Sequence, residues 1–182
     1  LSGVSVDESE LKVRSREIPD TSRPPHFIRF DFTDSPDLDR LALSLRSFEE
    51  VYDDYPMLTI VDNITNVWAG GANDEDPYAG LEVTLEYLHT LSRQTGSCVI
   101  GLHHVTGPYN DGDKPIPLSG IKGQIGRLPE LILTMHRVPS QYGTDSLNVS
   151  TVKNRSGWQD PSGREFVSLE FEGSTMQIKD MV

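Results

Sequence analysis

Three groups of residues in this chain have the types and spacing to do chemistry. Asp62 ends the apolar run Met57-Leu-Thr-Ile-Val-Asp62-Asn63, His103 and His104 end the run Cys98-Val-Ile-Gly-Leu, and Lys153-Asn154-Arg155 follows a third. Ligands of open α/β sheets gather at the carboxyl ends of strands, where Asp62 would emerge. A carboxylate there can hold the Mg²⁺ of a bound nucleotide. A core strand ended by an Asx turn or a helix cap has the same pattern, so the stretch alone leaves both open. Adjacent histidines on a strand point to opposite faces and do not share a metal ion without a bend. His104 therefore reads as a polar side chain that senses phosphate, and His103 as a hydrogen-bonded core residue. Lys153 and Arg155 fall on the same side of a strand, where two cations are not buried without partners. They mark either a surface edge or a pair that reaches an anion on a neighbouring subunit, as an arginine finger does.

Two glycine patterns do not qualify as phosphate loops. Gly107-Pro-Tyr-Asn-Asp-Gly112-Asp-Lys114 lacks the Gly-Lys-Ser/Thr ending, and Gly120, Gly123 and Gly126 do not make a dinucleotide fingerprint. The 182 residues thus contain no Walker A motif. Asp34, Asp37 and Asp39 read as helix-start residues rather than as a metal site.

The elements that must position these residues alternate. Residues 1–25 are polar and irregular, and residues 26–32 alternate as a strand does. A helix is predicted over 38–52 with Leu41, Leu45 and Phe48 on one face, then the Asp62 strand and a Gly/Asn/Asp-rich loop over 65–75. A second helix is predicted over 77–93, capped by Asp76, opened by Pro77, closed by Gly96 and striped by Leu81, Leu85, Leu88 and Leu91. Strand, helix and strand with short connections imply a parallel sheet with right-handed crossovers. Residues 105–129 read as a long loop. Strands over 131–136 and 147–153, and a hairpin over 166–178 turned at Glu172-Gly173-Ser174, would add antiparallel edges to the parallel centre.

Composition narrows the class. With 16 basic and 28 acidic residues the net charge is −12, which argues against whole-surface adhesion to nucleic acid. It leaves room for a local basic groove at Lys114, Lys122 and Arg127. The single cysteine, Cys98, cannot form an internal disulfide, suits a cytoplasmic setting and reads as strand packing. No apolar run is long enough for a membrane-spanning helix, and no start resembles a signal peptide.

Taken in order, the strand ending Ile-Val-Asp62, the strand ending Leu-His-His104, the stretch from Lys114 to Leu133, and Val152-Lys-Asn-Arg-Ser-Gly157 resemble the C-terminal ATPase domain of DnaB-type replicative helicases. They are equally similar to the RepA-like ATPases of the RecA fold, and the likeness covers roughly residues 57–178. The resemblance implies an α/β, RecA-like, mainly parallel sheet flanked by helices, spanning 26–182 after an irregular start at 1–25. It implies ATP and Mg²⁺ as cofactors, with Asp62 as the Walker B acid and metal ligand and Asn63 beside it at the nucleotide. By the same likeness, His104 couples the γ-phosphate to the DNA-binding loops, and Lys153 and Arg155 act on a neighbour's nucleotide. Lys114, Lys122 and Arg127 would contact single-stranded DNA through the 107–126 loop of a ring, most often a hexamer. The catalytic glutamate is matched only weakly, by Asp7 or Glu8, and the phosphate loop would lie upstream of Leu1.

The resulting expectation is a Mg²⁺-dependent ATPase that moves on DNA in replication, repair or recombination, in the cytoplasm or a viral replication setting. A metal-dependent nuclease built on the carboxylates near Asp62 with a histidine, and a non-catalytic assembly or loader subunit, are the alternatives.

Overall fold

The computed structural model describes residues 38–67, 80–141 and 143–181, all within the second of the two units into which the chain divides, 36–182. The expectations for Asp7, Glu8, the 26–32 strand, Asp34, Asp37, Asp76 and Pro77 fall outside the described residues.

Helix α1, Leu38–Tyr52, buries Leu38, Leu41 and Leu45, the i, i+3, i+7 stripe that 3.6 residues per turn places on one face. Strand β1, Leu58–Val61, then pairs in parallel with β2, Cys98–Gly101, from Leu58 beside Cys98 to Val61 beside Gly101. Between them helix α2, Leu81–Thr95, buries Leu81, Thr84, Leu88 and Leu91. It ends at Gly96, whose φ of +71° is the left-handed conformation a glycine adopts without a Cβ penalty. The Gly96 N–H donates to the Ser92 carbonyl over 2.9 Å.

The second sheet is antiparallel, in the order β3 (Leu131–Val138), β4 (Asp145–Asn154), β5 (Val167–Glu172) and β6 (Gln177–Asp180). This corrects the RecA-like expectation of a mainly parallel sheet flanked by helices and extended by antiparallel edge strands. Among the described residues the parallel part is two strands, and the four antiparallel strands form a separate sheet. The physical reason lies in residues 102–130. A further parallel strand needs a crossover, usually helical. This stretch, broken by Pro108, Pro115, Pro117 and Pro129, makes only 3₁₀ turns at Gly107–Tyr109, Leu118–Gly120 and Lys122–Arg127. The chain therefore starts a new sheet at β3 and continues through antiparallel connections.

The strands also differ from the expected doubly covered type. Thr59 and Val61 are buried while Ile60 is 59% exposed, so β1 alternates and is covered on one face. Cys98, expected to pack, is exposed. Strand β3 alternates in the same way, with Ile132, Thr134 and His136 buried. Ile132 joins Ile121 and Val152 in a core cluster against which Leu118 and Ile125 pack, so the 3₁₀ turns lie against the second sheet.

Candidate functional site at the carboxyl rim of the parallel strands

Because β1 and β2 run parallel in register, both chains leave the sheet at one rim. The ladder continues past its last pair, with Leu102 N–H donating to the Val61 carbonyl and Ile64 N–H to the Leu102 carbonyl, both at 2.9 Å. Asp62, Asn63, His103 and His104 are thereby gathered from two strands some forty residues apart.

Asn63 links the two. Its side-chain oxygen accepts the Thr65 N–H at 2.9 Å and the Thr65 hydroxyl, capping the 3₁₀ turn Ile64–Asn66. An N–H only donates, so this contact fixes which end of the amide is oxygen. The other end, Nδ2, then donates to His104 Nε2 at 2.9 Å. His104 Nε2 must accept, which leaves the Nδ1–H tautomer and a donor available to a ligand at the rim. The cap is made by Asn63, so the Asx-type ending of the strand and a free Asp62 coexist. Asp62 is exposed, and its carboxylate bonds no side chain among the described residues.

His103 turns the other way, its ring centroid 6.5 Å from that of His104. Its Nε2 donates to the Lys122 carbonyl at 2.8 Å. The Lys122 N–H in turn donates to the His104 carbonyl at 3.2 Å, and Val105 bridges Ile121. Lys122 is thus fastened through its backbone to both histidines. The bond at Nε2 leaves His103 Nδ1 buried without a partner among the described residues. Burial lowers the His103 imidazole from its ordinary value of 6.5; the Lys122 carbonyl opposes that shift, and the His104 and Lys122 charges add to it.

The remaining expected site residues lie elsewhere. Lys153 and Arg155 sit at the end of β4 and both bond their own chain. Lys153 Nζ donates to the Arg127 carbonyl at 3.1 Å, Arg155 Nη2 donates to the same carbonyl, and Arg155 Nη1 meets Glu130 Oε1 at 2.8 Å. Arg155 remains 48% exposed. Burial, then the Arg155 charge, lowers Lys153 below its ordinary value of 10.5. Arg127 is exposed, and its backbone oxygen is what these cations hold. Lys114 is far along the loop from Lys122, its Nζ 5.4 Å from the Tyr109 ring centroid.

Sequence reasoning missed Thr65, which orients Asn63, and Asp160, which organises the segment after β4. The Asp160 carboxylate accepts the N–H groups of Ser162, Arg164 and Glu165, and the Ser162 hydroxyl. These bonds, led by Glu165 N–H, hold its carboxyl down to about 2. The signal was available in Asp160-Pro-Ser-Gly163, a turn sequence with an Asx acceptor, a proline and a glycine.

Comparison with known proteins finds close relatives. The chain is 56% identical over 183 residues to the Gene 65 protein of Mycobacterium phage L5, an alignment covering 99% of this chain and 68% of that protein. It is 55% identical over 185 residues to the Gene 65 protein of Mycobacterium phage D29, covering 99% of this chain and 79% of that one. No family model matches.

Proposed function

The chain belongs to the family of mycobacteriophage Gene 65 proteins, and we propose that it serves a Mg²⁺-dependent ATPase that acts on DNA. The observation that carries this is the Asn63–His104 bond at the rim where Asp62 emerges, with Lys122 of the following loop fastened to both histidines. Such a rim has the parts to bind a phosphate chain and to pass its presence to a loop.

The residues fit the cofactor. Mg²⁺ prefers oxygen ligands, keeps several waters, and commonly takes one or two carboxylates together with substrate phosphates. Asp62 supplies one exposed carboxylate. Among the described residues no three of His, Cys, Asp and Glu converge to hold a metal. A carboxylate at a strand end suits a metal that arrives with a nucleotide. Bound there, Mg²⁺ would neutralise charge on the phosphate oxygens. Asp62 would hold it, His104 Nδ1–H would donate to a phosphate oxygen, and Asn63 would keep that imidazole in the donating tautomer.

In a head-to-tail assembly of copies, Lys153 and Arg155 would act on a neighbour's nucleotide after exchanging Glu130 and the Arg127 carbonyl for phosphate. Exposed ion pairs of this kind contribute little stability, so the exchange costs little. DNA would lie along the 107–126 loop.

The test is hydrolysis by the full-length protein with Mg²⁺ and single-stranded DNA. DNA-stimulated ATP turnover, lost in a folded Asp62→Ala variant, is the expected result. Turnover unaffected by Asp62→Ala, or DNA cleavage that needs Mg²⁺ but no ATP, would replace this reading with another.

A further inference from the structure

The two faces of the second sheet differ in polarity, and the more apolar one is in solvent. Opposed residues of antiparallel strands share a face, and successive residues alternate between faces. The covered face carries Thr134 and His136 of β3, Asn148 and Ser150 of β4 and Ser168 of β5. These polar groups are satisfied by hydrogen bonds. The Ser168 hydroxyl donates to Asn148 Oδ1 at 2.7 Å, Asn148 Nδ2 meets His136 Nε2 at 3.0 Å, and the Thr134 and Ser150 hydroxyls donate to the Ile116 and Gly163 carbonyls. On the opposite face Leu131, Leu133 and Met135 of β3, Val167 of β5 and Ile178 of β6 are each more than half exposed. Leu147, Val149, Leu169 and Phe171 lie between them, half-buried by their neighbours. A sheet that alternates in this way directs its apolar residues to the side that is meant to be covered. Their exposure shows that no described residue covers it.

The exposed parts amount to roughly 600 Å², the upper end of the apolar patches that monomers leave in solvent. A standard interface takes about 800 Å² from each partner, so this face with its rim suffices for a stable pair. The register also sets the charge at the edges. Arg137 of β3 lies beside Leu147, Leu147 beside Leu169, and Leu169 beside Asp180 of β6. One row across the face thus runs from a cation at one edge to a carboxylate at the other. A twofold axis parallel to the strands, placed between two such faces, sets β3 of one copy over β6 of the other. Arg137 of each copy then meets the partner's Asp180. An axis across the strands would set like edges together and leave both charges without opposites. Asp180 makes no ion pair among the described residues. Arg137 is held by Asp145 and lies 5.0 Å from the Phe171 ring centroid, yet its side chain remains 53% exposed. Copies of a chain of net charge −12 repel each other, so a face whose charges balance is where a second copy can approach.

We propose that the outer face of the β3–β6 sheet pairs with the same face of a second copy, about a twofold axis parallel to the strands. Two such faces pack about 10 Å apart as the halves of a sandwich do. The apolar rows supply the affinity, and the two exposed ion pairs, each worth little alone, fix the register. The contact is isologous and closes at two copies, unlike the head-to-tail contact that would bring Lys153 and Arg155 to a neighbour. It needs neither nucleotide nor DNA, so it goes beyond the function above and is measured without either.

The experiment is sedimentation velocity of the full chain over a wide concentration range, for the wild type and a Leu133→Lys, Met135→Lys double variant. Both positions are exposed in a single copy, so the circular dichroism should be unchanged. The wild type should sediment as a dimer that dissociates on dilution, and the double variant should raise its dissociation constant at least about a hundredfold. Cross-linking reads the register and does not depend on that variant folding. Within one copy Arg137 and Asp180 lie three strand spacings apart, about 14 Å. That is too far for a disulfide, whose Cα atoms stand within about 7 Å. In a Cys98→Ser background, Arg137→Cys together with Asp180→Cys should give a covalent dimer on oxidation, and either substitution alone should not. A monomer at every concentration would overturn the pairing and assign the face to other residues of the chain or to a different partner. A dimer that the double variant leaves intact would overturn it by placing the contact elsewhere. A covalent dimer from Arg137→Cys alone would overturn the assigned axis.

Discussion

Asn63 Nδ2 lies 2.9 Å from His104 Nε2, joining two strand ends that are 41 residues apart in the chain. Thr65 holds the Asn63 oxygen, so the orientation of one amide sets the tautomer of one imidazole. This relationship converts a local cap into a feature of the candidate site.

It is testable by spectroscopy. In Asn63→Asp the group facing His104 becomes an acceptor, so the imidazole must present an N–H there. Nitrogen chemical shifts of His104 should report Nδ1–H in the wild type and a proton on Nε2 in the variant. The same tautomer in both would mean that Asn63 does not orient the ring. Asn63→Ala should in addition cost about 1 kcal/mol of stability through loss of the cap, read from urea unfolding.

Gly101 is required by the same arrangement. A Cβ at this position would sit 2.5 Å from Ile64 Cγ2, on the turn that carries Asn63 and Thr65. Ile64 is buried and cannot swing clear. Gly101→Ala should cost about 1–3 kcal/mol, as overpacking does, and should disturb the His104 nitrogen shifts. A variant with wild-type stability and wild-type shifts would show that Ile64 gives way freely.

Stability should fall on mild acidification. Burial lowers both His103 and His136 from their ordinary value of 6.5, with Asp113 opposing the shift at His136. The unfolded chain therefore takes up protons at a higher pH than the folded one does. The stability these groups contribute is present above 6.5 and is lost as pH falls through the lower folded values. Urea midpoints measured at pH 7.5 and about pH 5.5 should show the decline, and a His103→Gln, His136→Gln double variant should show less of it. At the far acid end Asp160 behaves likewise, with its contribution present above 3.8 and lost as pH drops towards about 2. Equal pH dependence in the double variant and the wild type would shift the cause to other groups.

Arg155 and Glu130 separate stability from activity. Their pair is exposed at both ends, so Glu130→Ala should change unfolding free energy by less than about 1 kcal/mol. Arg155→Ala should abolish ATP turnover by the assembled full-length protein while leaving nucleotide binding largely intact. Unchanged hydrolysis in that variant would remove the trans-acting role.

Much was already legible in the chain itself. Of the expected stripe Leu41, Leu45 and Phe48, the first two are buried, and with the cap at Gly96 they locate the helices, because a 3.6-residue repeat and a left-handed glycine are local properties. The runs ending at Asp62 and at His104 locate two strands, and the helix between them makes their pairing parallel. What neighbours in sequence cannot encode was decided by tertiary structure. An apolar run such as Leu58–Val61 has one appearance whether one face or both are covered, and only packing left Ile60 in solvent. Likewise β3 reads the same as an edge of the first sheet or as the start of a second. The proline-broken segment before it, unable to form a crossover helix, made it the latter. The partners of Arg155 and the tautomer of His104 both arise from contacts between segments distant in sequence, where geometry rather than residue type selects the bond.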